Sequence, residues 1–153
     1  MSIAHPQIID ERRTVMAVLA QAQGDEIARG LTLVGKDIDF IELRSAETGL
    51  VMLRGRIGGD GAPFNAGEAT VTRAAVQIAS GEKGFAYVLG RDARKARLAA
   101  LCDALWQTKT HRQSVEQHVL APLRAAQDER RAVKRAQTAA TRVDFFTLVR
   151  GED

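Results

Sequence analysis

GLVMLRGRIGGDGAPFNAGEATVTRAAVQIASGEKGFAYVLGRD, residues Gly49 to Asp92, is the stretch whose reading decides the fold. Three β-type runs stand in it: Gly49 to Ile57, Ala69 to Ala79, which is rich in threonine and valine, and Gly84 to Gly90. A glycine-rich segment separates the first two and the turn SGEKG the last two. Connections this short join antiparallel neighbours, because parallel strands need a crossover of a dozen or more residues.

Working outward, Ile38 to Arg44 alternates apolar and polar residues and predicts a further strand, with a turn at Ser45 to Thr48 making a hairpin to Gly49–Ile57. On the N-terminal side, Pro6 can open a helix whose apolar positions Ile8, Ile9, Val15, Met16, Leu19 and Ala22 recur at three- and four-residue spacing up to Gly24. A shorter helix follows from Asp25 to Val34, weakened by Gly30 and stopped by Gly35. On the C-terminal side, Asp92 can cap a helix with the stripe Leu98, Leu101, Cys102 and Leu105, which leaves Arg94 and Arg97 outward and Trp106 at its edge. Ser114 to Leu123 predicts another helix, started anew or kinked at Pro122, and Asp128 to Thr141 a last one whose face is Ala132, Val133, Ala136, Ala139 and Ala140. The ending is β-like again, with Val143, Phe145, Phe146, Leu148 and Arg150 as a partner-docking tail or an added edge strand. The expected class is α+β: one domain over residues 1–153, a four-stranded antiparallel sheet flanked by helices, and a β-like C-terminal tail.

A chain of 153 residues with 45% hydrophobic content is long enough for a substantial core, and 27% charged residues is ordinary for a globular domain. The net charge of +3 suits an anionic ligand or an acidic partner, but basic residues are not interleaved with aromatics as nucleic-acid stacking requires. A lone cysteine, Cys102, excludes an internal disulfide. No signal-peptide h-region and no 18-residue apolar window occur, so the expectation is a cytoplasmic protein without a membrane span.

The candidate chemistry gathers in the opening stretch. Arg54 and Arg56 lie two residues apart on a strand, hence on one face with Leu50 and Met52, and their guanidinium forks suit phosphate, carboxylate or the acids of a partner. Gly55, Gly58, Gly59, Gly61 and Gly67 follow, with Phe64, Asn65 and Glu68 among them; such density allows either an anion nest or a long hairpin turn. The segment lacks the Lys-Ser or Lys-Thr ending of a phosphate loop and no helix follows at once, so neither nucleotide fingerprint is met. Thr72, Arg73, Arg91 and Asp92 complete the candidate anion- or partner-binding set, Asp92 also being a plain helix cap. His5, His111 and His118 have no metal-site spacing, and no nucleophile elbow or CxxC is present, so no catalytic residue and no metal ligand is assigned. From the residues alone a binding subunit, a stand-alone phosphate-ester-binding enzyme and a structural scaffold all stay open.

The ordered motifs ETGLV, the GGxGxxF turn, GEATVTRAAV, YVLGRD and RVDFFTLVRG resemble the PhnG family, the G subunit of the carbon-phosphorus lyase core complex, over about Arg12 to Glu152. The resemblance implies an accessory role in phosphonate catabolism, at the step in which a phosphonate displaces adenine from ATP to give an α-D-ribose 1-phosphonate 5-triphosphate. It further implies assembly with the H, I and J subunits and the L protein, catalysis carried mainly by the I subunit, no cofactor on this chain, and ATP as the substrate of the complex. Homo-oligomerisation of the isolated chain is compatible with it. Arg54, Arg56, Arg73 and Arg91 then face either a polyphosphate or, preferably, a neighbouring subunit.

Overall fold

The computed structural model describes residues 6–36 and 38–141. In order these form α1 (Pro6–Gln21), α2 (Gly24–Val34), β1 (Phe40–Gly55), β2 (Phe64–Ile78), β3 (Lys83–Leu89), α3 (Ala93–Gln107), α4 (Arg112–Val115), a π-helical turn (Glu116–Leu120) and α5 (Ala121–Ala140). The proposed docking tail, Val143, Phe145, Phe146, Leu148 and Arg150, lies outside the described residues.

The sheet is α+β in context and antiparallel as expected, but it has three strands in the order β1-β2-β3, not four. Ile38–Arg44 and Gly49–Ile57 are not partners across a turn. They belong to one long strand, β1, paired along its length with β2 from Phe40↔Ile78 to Gly55↔Phe64. At the Ser45–Thr48 segment that suggested a turn the register shifts instead, between Arg44 and Glu47, after a first irregularity just upstream between Glu42 and Arg44. The physical reason is in its residues. A two-residue hairpin turn needs positive φ, and Ser-Ala-Glu-Thr offers no glycine or asparagine; among the described residues every positive φ belongs to glycine. A bulge needs only an extra residue, and β-bulges bend a strand without ending it. The reversal occurs in the glycine-rich segment, where Gly58 (φ 66°) and Gly59 (φ 84°) take the left-handed conformation and Gly61 N–H donates to Ile57 C=O at 3.1 Å.

One face of the sheet is covered. Ala74, Val76 and Ile78 of β2 share one face with Ala86 and Val88 of β3, and this buried set packs on α3. Helix α3 is enclosed on almost every side: Ala99 to Trp106 are all buried. Close approach explains its composition, because a Cβ on Gly84 would stand 1.9 Å from the Ala100 carbonyl oxygen. Gly30 has the same role between α2 and the π turn, where a Cβ would meet His118 O at 2.7 Å. Its cost to the helix is therefore offset by packing. Of the two outcomes open at Pro122, a fresh start and a kink, the structure shows the fresh start. The proline sits at the start of α5, directly after a π turn whose wider winding gives the ring room.

Polar pins fix the layers. Asp92 caps α3 by accepting from Lys95 N–H at 2.8 Å, and Lys95 Nζ donates to Ala20 C=O at the end of α1. Asp103, 1% exposed, receives Arg12 Nε at 2.7 Å, Arg12 Nη2 at 2.6 Å and the Phe85 backbone N–H at 2.8 Å, which ties α1, α3 and β3 together. Trp106 is buried rather than marginal, and its indole donates to Glu116 Oε1 at 2.7 Å while Arg112 lies 4.0 Å over its ring. Cys102 is enclosed, and burial pushes its thiol pKa far up, which leaves it inert.

Candidate functional site

Strand β3 is shorter than the strands it accompanies, and this mismatch creates the exposed surface. β3 ends at Leu89 opposite Val71, with Gly90 N–H still donating to Thr70 C=O at 2.9 Å. Beyond that point β1 and β2 continue as a two-stranded ribbon, Leu50↔Thr70 through Gly55↔Phe64, that neither β3 nor α3 accompanies. The ribbon is apolar on both faces. Leu50 (63% exposed) and Met52 (53%) stand on one side, Leu53 on the other, and Ile57 (76%) and Phe64 at the tip. An isolated two-stranded hairpin is marginal in water, and contiguous exposed apolar side chains mark contact surfaces.

The candidate residues distribute along this ribbon rather than around one point. Arg54 lies opposite Asn65 next to a break in register, where Gly67 (φ 149°) absorbs the extra residue of β2. Arg56 falls just past the strand, and its Nη1 donates to Gly61 C=O at 3.2 Å, so part of its fork is spent in holding the turn. Gly58, Gly59, Gly61, Phe64 and Asn65 form or flank that turn, and Glu68 is midway along, opposite Met52. At the base, Thr72 is buried, its hydroxyl donating to Gly90 C=O at 2.6 Å with Thr48 Oγ1 at 3.1 Å. Arg73 binds Glu47 at 2.7 Å, and Glu47 also holds Arg44, so the three form an ion cluster on the uncovered sheet face. Tyr87 first and Glu47 second raise the Arg73 pKa, while Arg44 and Arg73 lower that of Glu47. Arg91 is exposed and Asp92 is the helix cap.

Eight residues of strand separate Asn65 from Arg73, about 26 Å at the usual rise. The tip pair Arg54 and Arg56 therefore cannot close on the same phosphate as Arg73 or Arg91. The structure gathers the tip residues into one locality, while at the base Thr72 and Arg73 take opposite faces of the sheet and Arg91 and Asp92 follow the end of β3. Arg97, read as outward, instead reaches β1, with its Nε 2.5 Å from Glu42 Oε1, and Arg94 pairs with Asp25.

Sequence reasoning missed the Arg12–Asp103 pair and the Glu116 cluster. Asp103 was detectable as a charge inside the apolar run ALCDALW, since a carboxylate there must find a cation or a donor. Burial raises the Glu116 pKa, but the hydrogen bonds from Arg124 and Trp106 outweigh it and leave the carboxyl below its ordinary value. The face of α5 expected from its alanines is uncovered: every residue from Asp128 to Thr141 is exposed among the described residues. Among the described residues no group of three or more His, Cys, Asp or Glu could hold a metal ion, and no helix is long and apolar enough to cross a membrane.

An α+β body that extends an apolar ribbon and a bare helix offers contact surface, not a convergent pocket of titratable groups. Residues 10–151 match the family described as phosphonate metabolism protein PhnG. The chain is also 49% identical over 146 residues, 95% of its own length and 92% of the relative's, to the α-D-ribose 1-methylphosphonate 5-triphosphate synthase subunit PhnG of Rhizobium meliloti strain 1021. The chain belongs to the PhnG family of phosphonate metabolism proteins.

Proposed function

We propose that this chain is an accessory subunit of an α-D-ribose 1-methylphosphonate 5-triphosphate synthase, and that it joins its complex through the β1–β2 ribbon. The observation that carries the reading is the ribbon itself, whose Leu50, Met52, Leu53, Ile57 and Phe64 are exposed on both faces. Burying that much apolar surface in a permanent partner is favourable at about 25 cal/mol per Å² of area removed from water. The synthase name of the relative supplies the reaction, and the relative's being a subunit supplies the requirement for partners. In this reading the H, I and J subunits and the L protein are the partners, the displacement of adenine from ATP by a phosphonate is carried by the other subunits, and this chain holds no cofactor. Contact of Arg54 with a phosphate is secondary, because its neighbour Arg56 is partly engaged by the turn and the remaining cations lie at the base.

Reconstitution of the synthase with and without this chain, following adenine release, tests the proposal. Release is expected to collapse without the chain and to return on its addition, and full activity in its absence overturns the reading. The Arg54→Ala and Arg56→Ala variants divide contact from chemistry: weaker assembly with unchanged kinetics of the assembled complex supports a docking role, and a slower assembled complex shows a ligand contact.

A further inference from the structure

The outer edge of β3 is a second surface, independent of the ribbon. Gly90 N–H donates to Thr70 C=O at 2.9 Å and Ile78 N–H to Glu82 C=O at 3.1 Å. With the register Thr72↔Val88 and Ala74↔Ala86, this alternation turns the backbone groups of Gly84, Ala86 and Val88 towards β2. The groups of Lys83, Phe85, Tyr87 and Leu89 consequently point at the open edge. Its beginning is closed by side chains: Arg12 Nη2 and Gln107 Nε2 donate to Lys83 C=O at 3.2 and 2.8 Å, and Phe85 N–H donates to Asp103. From there on, Phe85 C=O and both backbone groups of Tyr87 and Leu89 have no partner among the described residues.

Natural sheets usually blunt such an edge with proline, lysine or a covering element. Between Gly84 and Leu89 there is neither proline nor lysine, and Phe85, Tyr87 and Leu89, the last 72% exposed, stand clear of the core. Helix α1 runs beside the edge without covering it. A groove of about 350 Å³ remains between them, lined by Ile9, Arg13, Met16, Phe85 and Tyr87 with the Arg12–Asp103 pair at its floor. A groove bounded by a strand edge on one side and a helix on the other is the geometry in which an extended peptide adds a strand, with backbone bonds supplying affinity and alternate side chains specificity.

The charges around the groove define the occupant. Lys83 stands at one end of the strand and Arg91 just past the other, and neither forms an ion pair among the described residues. Arg13 on the helix side is 80% exposed and among the described residues pairs with Asp10 alone, at 3.6 Å. We infer that the β3 edge receives an extended segment of a partner subunit, about five residues long, apolar at alternate positions and carrying acidic side chains at its flanks. The inference rests on the subunit reading above and adds a second point of attachment to it.

Amide exchange resolved to single residues, on the isolated chain and on the assembled synthase, is the test. The Tyr87 and Leu89 amides are expected to slow by about tenfold or more on assembly. Leu89→Asp and Ile9→Asp, both at exposed positions, are expected to weaken assembly by about tenfold, while Leu33→Asp, exposed on α2, leaves it unchanged. Failure of the complex to form with the wild-type chain refutes the subunit reading itself. A complex that forms with the Tyr87 and Leu89 amides unprotected refutes the inference alone. Slow exchange already present in the isolated chain also overturns it, since the occupant is then a second copy if protection rises with concentration and the chain's own C-terminal segment if it does not.

Discussion

Replacing Asp103 by alanine removes the carboxylate that joins three elements, and its cost can be built from the contacts. The side chain is 1% exposed and accepts both Arg12 donors and the Phe85 amide. Truncating one member of a buried ion pair costs about 3–5 kcal/mol when the remaining charge stays buried. Arg12 is not fully enclosed, with 32% of its side chain exposed, so its guanidinium can recover hydration and the ionic part is discounted. The Phe85 N–H, facing the open edge, loses its acceptor and adds about 1–2 kcal/mol unless water replaces it. The sum is about 3 kcal/mol, which for a chain of this size corresponds to a Tm lower by about 6–12 °C.

The assay is thermal unfolding followed by circular dichroism, checked by urea titration so that a change in midpoint is separated from a change in slope. Arg12→Met is the companion, because it leaves the carboxylate in place without its cation and should be at least as damaging. The double variant Arg12→Met with Asp103→Leu removes both charges and should recover a substantial part of the loss, since an apolar pair of similar volume often replaces a buried ion pair at little cost. A Tm for Asp103→Ala within about 2 °C of wild type, or strictly additive single and double variants, would falsify the assignment of Asp103 as the pin between α1, α3 and β3.

Gly84→Ala places a Cβ against the Ala100 carbonyl oxygen, where backbone must move, so a loss of about 3 kcal/mol or more is expected, read as insoluble or low-melting protein. The lowered pKa of Glu116 means that the folded chain binds its proton less readily than the unfolded chain; its contribution is present above the ordinary value of 4.5 and is lost as pH falls through the lowered folded value. Glu116→Gln should therefore flatten the acid limb of stability against pH below about 4.5, and an unchanged limb refutes the role. Leu50→Asp with Met52→Asp should leave the Tm of the isolated chain within about 2 °C, because both side chains are solvated there, yet weaken assembly by about tenfold or more. Retained assembly would remove the ribbon from the docking surface.

How much of this was legible in the residues depends on whether the controlling interaction is local. Periodicity placed α1, α2 and α3 well, and the SGEKG turn and the glycine segment marked both reversals, because turn chemistry and amphipathic spacing are properties of neighbouring residues. Ser45–Thr48 misled because a bulge and a turn are both short polar interruptions in an alternating pattern. What separates them is the absence of a residue suited to positive φ, and that criterion, applied to Ser-Ala-Glu-Thr, yields the long strand. The partners of Asp103 and Arg97 were beyond reach, since each comes from an element many positions away, and those of Glu116, ten residues before and eight after it, depend on how the π turn sets one helix against the next. The candidate arginines can be named from the residues, but their division into a tip group and a base group follows from strand length and from where β3 stops, which no motif encodes.

That stopping point also accounts for the architecture as a subunit. Had β3 continued past Leu89 to pair with Ala69 and Gly67, the ribbon would have been two strands of a three-stranded sheet and its inner face would have needed a longer α3. Instead Gly90, at φ 86°, turns the chain away and Asp92 immediately starts the helix, so the body closes while β1 and β2 run on. The chain thereby leaves Leu50 and Met52 solvated when it could have shortened the hairpin, and such exposure is stable only because long cross-strand pairing and the base contacts of Thr72 hold the ribbon's root. In the docking role proposed above, the exposed Leu50 and Met52 are covered on assembly. Assembly, and not the isolated chain, is then the state in which the Gly49–Asp92 stretch should be measured.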